Sequence, residues 1–321
     1  MIAHAAAGVV QIAGRYTMKY RDAIAQAMVD ALARDPKALI LGQNVTTPHG
    51  VFGTTALAYE RFPDRVLEIP ISETMITGMC VGMALEGWKP ILVHTRADFG
   101  LFSFEHLINT AAKMPFLHGR PLPLVVRMIV GRGWGQGPVH SQSWHNLLSQ
   151  IPGLGVIVPS MGHYRWVLDA LALAEPARAT VIIEPRRLYE EEDSTPPTLS
   201  AYFSRRDIIL RTIGDAVLDA GEARRTLLGM GIVASVEPWD VLSERPITVG
   251  NPVPTVLIDM FPNPDADVAP RGIQGVSQVY EKAYYPTADD IVEAVCRKLG
   301  KPITERKESH EPDRVRAGSP F

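Results

Sequence analysis

The chain has 321 residues, of which 46% are hydrophobic and 21% charged, a balance typical of a globular protein with two domains. Its formal net charge of −3 excludes the basic excess that marks most nucleic-acid-binding proteins, and no apolar run approaches the roughly 18–20 residues needed to span a bilayer. The two cysteines, Cys80 and Cys296, lie far apart in the sequence and are interpreted as reduced thiols. We therefore expect a cytoplasmic protein that binds neither nucleic acid nor membrane. Residues 1–15 lack the basic start of a signal peptide and are interpreted as a flexible leader.

Helical and strand-like segments alternate from residue 20 to residue 188. Helices are predicted over 20–34, 73–86, 103–114 and 164–174. Strands are predicted over 38–41, 66–71, 90–94, 122–130, 156–159 and 180–184. This alternation predicts an α/β fold in which a mainly parallel sheet is flanked by helices. Ligands of such sheets bind beyond the carboxyl ends of the strands, which is where we look for a site.

A change of composition divides the chain. The segment 190–204 is acidic and then rich in Pro, Ser and Thr, which is typical of a linker. We therefore predict a first domain over 16–190, a linker over 191–203, a smaller α/β domain over 204–300 and a disordered tail over 301–321. The smaller domain is predicted to contain strands over 207–212 and 256–260 and helices over 215–228 and 288–299.

One segment carries a pattern that suggests chemistry. The sequence IPISETMITGMCVGM places Glu73 between a strand and a helix, with Gly78 and Gly82 one turn apart on that helix. Such glycines allow another backbone to approach closely, as at a subunit interface. Taken alone, the motif is explained about equally well by a purely structural role. The helix dipole favours a Glu in the first turn, and small residues in a helix commonly serve packing.

The wider sequence resembles the beta subunits of thiamine-diphosphate-dependent 2-oxoacid dehydrogenases, which contain a transketolase-like pyrimidine-binding domain. The resemblance runs from residue 20 to residue 188 through YRDAIAQAMVDALARDP, RVLEIPISE, ALEGWKPILV, GRGWGQGPVHSQS and IPGLGVIVPS. It implies a pyrimidine-binding domain followed by a smaller domain like the C-terminal domain of transketolase. It also implies decarboxylation of a 2-oxo acid with thiamine diphosphate as cofactor.

The resemblance assigns roles to three residues. Glu73 matches the glutamate that hydrogen-bonds the pyrimidine ring of the cofactor, and Phe99 matches the aromatic residue that stacks on that ring. His140, within HSQS, matches the active-site histidine, which stabilises developing charge or relays a proton. The alternatives are that Phe99 is an ordinary core residue and that His140 only pins its loop. The glycines of GRGWGQG are interpreted as shaping the approach to His140, since the run fits no dinucleotide or P-loop pattern.

Half of the expected cofactor site is missing from the sequence. Thiamine-diphosphate enzymes hold the diphosphate through a divalent metal with a Gly-Asp-Gly motif and a later Asn, whereas this chain has only Gly214-Asp215-Ala216. The resemblance therefore implies an alpha-type partner that carries Mg²⁺ and the diphosphate site, in an α2β2 heterotetramer. No metal ligand is assigned to this chain.

Three departures from the family pattern leave alternatives open. Residues 174–178 replace an acidic loop that the family links to a monovalent cation site, which leaves potassium binding open. Gln43 stands where the family usually has an acidic residue, and residues 229–275 match poorly in the domain that helps the family to dock a lipoyl acyltransferase. That acyltransferase is therefore only one candidate partner. A transketolase-like transferase subunit that passes a two-carbon unit to a non-lipoyl acceptor is the second hypothesis. A degenerate structural subunit is the third, and the presence of both Glu73 and His140 argues against it.

Overall fold

A computed structural model describes residues 10–12, 15–133, 135–160, 178–193, 207–238, 253–263, 265–270 and 284–303. The strands are β1 (Val10–Ile12), β2 (Arg15–Lys19), β3 (Ala38–Gly42), β4 (Val66–Glu68), β5 (Lys89–His94), β6 (Val125–Val130), β7 (Gly155–Ile157), β8 (Thr180–Pro185), β9 (Glu192–Asp193), β10 (Ile208–Thr212), β11 (Ala234–Pro238) and β12 (Thr255–Ile258). The α-helices are α1 (Tyr20–Arg34), α2 (Ala56–Arg61), α3 (Glu73–Leu85), α4 (Ala97–Gly100), α5 (Met114–His118), α6 (His145–Leu148), α7 (Ala216–Gly229) and α8 (Ala288–Leu299). Shorter helical turns cover Pro63–Arg65, Leu101–Ser103 and Arg186–Leu188, and a π-helix covers His106–Ala111.

The largest sheet is parallel and has the strand order β4-β3-β5-β6-β8-β7. Strands β3, β6 and β8 are buried along their whole length, as expected for strands covered on both faces. Successive residues face opposite sides, so that Ile40 packs into one core cluster and Leu41 into the other. The predicted α/β fold with helices on both faces of a mainly parallel sheet is confirmed.

A second parallel sheet, in the order β11-β10-β12, follows in the C-terminal part of the chain. Its residues Ile208, Leu210 and Val256 belong to the same core cluster as Leu41 and Val126 of the large sheet. The two parts of the chain therefore share one continuous apolar core among the described residues. This shared core keeps the second sheet in contact with the loops that follow the first.

The N-terminal strands differ from the sequence-based expectation. Strand β1 lies within the segment expected to be a flexible leader, and it pairs antiparallel with β2, which in turn pairs with β9. The short segment Val10–Ile12 forms a strand because its backbone pairs with β2, and the composition of the segment does not predict this pairing. The predicted helix 164–174 and most of the predicted linker and tail lie outside the described residues.

The predicted helices 20–34 and 288–299 are confirmed residue by residue. The predicted helix 103–114 is wrong in detail, because the chain forms a π-helix there, with the amide of Ala112 donating to the carbonyl of Leu107. This wider turn sets His106 against Gly78, where an added Cβ would lie only 2.9 Å from the imidazole Nε2. Gly78 thus accommodates a side chain of the same chain, and not a backbone as predicted, whereas Gly82 faces open space.

Candidate active site

A cavity of about 750 Å³ opens at the carboxyl edge of the large sheet. Its wall includes residues that follow β3, β5 and β6: Asn44, Thr95, Arg96, Phe99, Gln136 and His140. Because parallel strands all end at the same edge, loops far apart in sequence meet there. The cavity therefore lies where ligands of open α/β sheets bind.

Two of the three predicted site residues meet in this cavity. The rings of Phe99 and His140 lie edge to face, with centroids 5.7 Å apart and an interplanar angle of 85°. Phe99 is placed by the short helix α4 directly after β5, and His140 by the loop after β6. Both side chains are half-buried, so each keeps a surface toward the cavity.

The loop that carries His140 is fixed by a buried carboxylate. Asp98 Oδ1 accepts a hydrogen bond from the backbone amide of Gln142 (3.1 Å) and another from its side-chain Nε2 (3.0 Å). Earlier in this loop, before His140, the residues Gly133, Gly135 and Gly137 adopt positive φ angles of 86°, 67° and 81°, which other residues rarely adopt. The alternating glycines let the loop turn tightly enough to return His140 to Phe99.

The third predicted residue, Glu73, does not line this cavity. It is the first residue of α3 and is half-buried. Among the described residues, the one hydrogen bond of its carboxylate is a long contact of 3.5 Å from Gln43 Nε2. Gln43 directly precedes Asn44, which does line the cavity. Gln43, which stands where the resembled family usually has an acidic residue, is thus the residue that contacts Glu73.

A buried chain of hydrogen bonds runs behind Glu73. The Thr77 hydroxyl donates to the backbone carbonyl of Glu73 (2.7 Å), and the hydroxyl oxygens of Thr77 and Ser103 are 2.7 Å apart. Ser103 Oγ is in turn 2.9 Å from His94 Nε2. A carbonyl oxygen only accepts, so the single hydroxyl proton of Thr77 is used in the bond to the Glu73 carbonyl. The Ser103 hydroxyl must therefore donate to Thr77. Its proton is then used, so His94 Nε2 must donate to Ser103. Burial lowers the pKa of His94 to about 4, which agrees with a neutral imidazole protonated on Nε2.

The same loop is also tied to the second sheet. His145 Nε2 lies 2.7 Å from Asp259 Oδ2, and His145 Nδ1 lies 2.8 Å from Ser143 Oγ. Burial disfavours the charge of Asp259, but the interaction with His145 and the hydrogen bonds from the Phe261 amide and the Asn263 side chain together lower the pKa of that carboxyl. A second tie joins Arg132 Nε to Asp215 Oδ2 at 2.6 Å. Asp215, the acidic residue of the partial Gly-Asp-Ala motif, is therefore used in an ion pair.

Unusual backbone conformations are concentrated in the cavity wall. Among the described residues, the non-glycine residues with positive φ are Asn44 (60°), Val51 (42°) and Phe52 (60°), and all three line the cavity. Such conformations are rare for bulky or β-branched side chains and cost of order 1–3 kcal/mol each. They persist only where the surrounding structure enforces them, which is a common property of functional sites.

Sequence reasoning missed three residues of this site. Arg96, Asp98 and His94 all lie at the end of β5 or just after it, close to Phe99. The available signal was their position, since polar residues that follow a buried strand in a parallel sheet lie at the ligand-binding edge. No group of three or more His, Cys, Asp or Glu side chains suited to a metal occurs within the described ranges, and no helix in them is long and apolar enough to cross a membrane.

Comparisons with known proteins identify the family of this segment. The family model for the transketolase pyrimidine-binding domain matches residues 16–192, which include every residue of the cavity wall named above. The mitochondrial pyruvate dehydrogenase E1 component subunit beta of Saccharomyces cerevisiae is 34% identical over 191 residues, covering 58% of this chain and 52% of that protein. The 2-oxoisovalerate dehydrogenase subunit beta of Bacillus subtilis is 32% identical over 235 residues, covering 68% of this chain and 70% of that protein.

Solved structures show the same fold at lower identity. The structure titled split gene transketolase, inactive beta4 tetramer, aligns with a TM-score of 0.67 and 19% identity, covering 88% of this chain and 99% of that one. The chain spans about half the length of the curated pyruvate dehydrogenase relatives that it matches. Because the family model covers more than half of the chain, the chain belongs to the transketolase pyrimidine-binding domain family, and its curated relatives include 2-oxoacid dehydrogenase beta subunits.

Proposed function

We propose that this chain is the beta-type subunit of a two-subunit thiamine-diphosphate enzyme that decarboxylates a 2-oxo acid and passes on the acyl unit. The observation that carries the proposal is the meeting of Phe99 and His140 on one cavity within the family segment. The curated relatives, which are pyruvate and 2-oxoisovalerate dehydrogenase beta subunits, favour a 2-oxo acid as substrate.

Phe99 in the cavity wall and Glu73 outside that wall suit the pyrimidine half of the cofactor. Phe99 offers part of its ring to the cavity, and a flat heterocycle stacks well on such a surface. Within the described part of the chain, the Glu73 carboxylate makes only the long contact from Gln43, which leaves it available to a ring nitrogen. Phe99 would therefore hold the ring and Glu73 would bind its nitrogen.

The protein residues divide the chemical work. When bound, thiamine diphosphate supplies a nucleophilic carbon and accepts the electron pair released by decarboxylation. Glu73 holds and returns a proton at the pyrimidine nitrogen, a task for a carboxyl group that can donate and accept. His140 stabilises negative charge at the reacting atoms or moves a proton there. Asp98 keeps His140 in place through Gln142.

The remaining half of the cofactor site belongs to an alpha-type partner, which carries Mg²⁺ and the diphosphate contacts in an α2β2 heterotetramer. One face of α3 supports this assembly, because Met75, Met79 and Gly82 follow one another on that face and are exposed. Ile71, just before the helix, is 82% exposed, and Phe102 nearby is 59% exposed. An apolar surface of this kind beside a binding site is typical of a subunit interface. A lipoyl acyltransferase would be a further partner.

The proposed chain organisation is a pyrimidine-binding domain over 16–190 and a transketolase C-terminal-like domain over 204–300. A reducing, cytoplasmic location is supported by the two cysteines. Cys80 and Cys296 are both free and buried, and burial raises the pKa of Cys80 to about 12. Thiols in this state are inert and do not require an oxidising compartment.

A product assay of the chain co-expressed with its alpha partner tests the function. We expect release of CO2 from one member of a panel of 2-oxo acids only when thiamine diphosphate and Mg²⁺ are present. Assays with lipoamide and with an aldose acceptor separate acyl transfer from two-carbon transfer. Absence of decarboxylation from the whole panel, in a complex that binds the cofactor, would refute the proposal.

A further inference from the structure

A positively charged side chain lines the cavity beside the proposed catalytic residues. Arg96 lies between β5 and α4, three residues before Phe99, and its guanidinium Nη2 donates to Gln136 Oε1 at 2.9 Å. The cavity wall also contains His49 and His140, and no Asp or Glu is among the lining residues. The described wall is therefore basic or neutral throughout.

A second arginine stands close behind the wall. The guanidinium carbons of Arg186 and Arg96 lie 4.1 Å and 5.6 Å from the centroid of the same ring, that of Phe52. Phe52 itself lines the cavity in a left-handed backbone conformation. The Phe52 ring thus contacts two cationic groups, one of which lines the cavity.

The closeness of these cations has an electrostatic cost. Burial, and after it the charge of Arg186, lowers the pKa of Arg96, while the charge of Asp98 opposes this effect. Like charges brought together in a partly buried site repel each other, and an anion bound beside them offsets that repulsion. Guanidinium groups also bind carboxylate and phosphate oxygens with two parallel hydrogen bonds.

We infer that Arg96, supported by Arg186 and Phe52, forms an anion-recognition element for a second anionic group of the substrate, a carboxylate or a phosphate remote from the reacting carbon. The carboxylate that leaves as CO2 is a poor occupant. An arginine bound to it would stabilise the reactant more than the transition state, in which that charge is lost. The inference rests on the proposed 2-oxo acid chemistry and deepens it by naming a substrate class.

The test compares matched pairs of substrates in the co-expressed complex. The donor pair is 2-oxoglutarate and 2-oxopentanoate, which differ in a terminal carboxylate; the acceptor pair is glyceraldehyde 3-phosphate and glyceraldehyde. We expect the wild type to prefer the charged member of one pair in kcat/KM. Arg96→Gln should reduce that preference by roughly tenfold to a hundredfold, the effect of losing a charge-assisted hydrogen bond. Arg96→Lys should retain part of it, and Arg61→Gln, on the exposed end of α2, should retain all of it.

Binding of inert anions separates this inference from the proposed reaction. Calorimetric titration of the same complex with inorganic phosphate and with glutarate should give binding of at least one anion that Arg96→Gln abolishes. If the complex decarboxylates no 2-oxo acid but this binding is found, the reaction is refuted and the anion site stands. If turnover is normal and Arg96→Gln leaves both the substrate preference and anion binding unchanged, the anion site is refuted.

Discussion

The imidazole Nε2 of His94 lies 2.9 Å from Ser103 Oγ, at the buried end of a hydrogen-bond chain that reaches the backbone of Glu73. The direction of this chain requires a proton on His94 Nε2, and burial keeps the imidazole neutral by lowering its pKa to about 4. A buried histidine outside the cavity wall thus anchors the hydrogen bonds behind the first turn of α3, which begins with Glu73.

The first prediction follows from the lowered pKa of His94. The unfolded chain takes up a proton at this histidine below pH 6.5, whereas the folded chain does so only near pH 4. Stability is thus fully present above pH 6.5 and should fall by on the order of 3 kcal/mol as the pH drops to about 4. Urea unfolding at several pH values across this range measures how steeply the free energy of unfolding changes with pH. His94→Gln keeps a donor but cannot titrate, so an equal slope in that variant would contradict the prediction.

The second prediction concerns Glu73. Glu73→Gln keeps the size of the side chain but removes its acidic proton, so we expect decarboxylation to fall by roughly a hundredfold or more while assembly with the partner survives. Turnover and sedimentation of the complex measure the two effects. Glu60→Gln, an exposed change on α2, is the control. Near-normal turnover of the Glu73 variant would remove this residue from the mechanism.

The third prediction treats Asp98 as a positioning residue for His140. Asp98→Ala removes the acceptor of both hydrogen bonds from Gln142, and the loop should no longer hold His140 against Phe99. We expect kcat to fall about tenfold or more with little change in cofactor affinity. His140→Ala should lower kcat similarly, and the double variant should show no further loss because both changes act through one side chain. Additive losses would show that Asp98 acts independently of His140.

The fourth prediction concerns the buried ion pair between Arg127 of β6 and Glu184 of β8. Arg127 Nη2 donates to Glu184 Oε2 (2.9 Å) and to Thr54 Oγ1 (3.0 Å), and Arg127 and Glu184 are fully buried. Glu184→Gln leaves the arginine charge without its carboxylate, so we expect a loss of about 3–5 kcal/mol in the free energy of unfolding. The double change Arg127→Leu with Glu184→Leu should recover most of that loss, since no buried charge remains. Denaturant unfolding compares them, and a double variant no more stable than Glu184→Gln would contradict the argument.

Much of the fold follows from local patterns in the sequence. The helix Tyr20–Arg34 ends where Asp35-Pro36 stops it, and Ala288–Leu299 begins at the Thr287–Asp290 capping box and ends before Gly300. The π-helix His106–Ala111 was not predictable from local patterns, because the contact of His106 with Gly78 that accompanies it joins residues far apart in the sequence. Strand β1 likewise depends on pairing with a distant segment.

The candidate site was predictable only in part. The resemblance singled out Phe99 and His140, and the structure brings them together. It does not indicate Asp98, Arg96 or the strained Phe52, because their proximity arises from loops that meet only after the sheet has formed. The contact of Gln43 with Glu73 is of the same kind, since thirty positions separate the two residues in the sequence.

The exposed thioethers of Met75 and Met79 on α3 make the separate subunit sensitive to oxidation. Met75 and Met79 stand open on a face that the proposed partner covers, and methionine is readily oxidised to a polar sulfoxide where oxidants reach it. A sulfoxide on that face would replace an apolar contact by a strongly hydrated dipole. A chain without its proposed partner would therefore be open to methionine oxidation on this face, and assembly would shield both side chains.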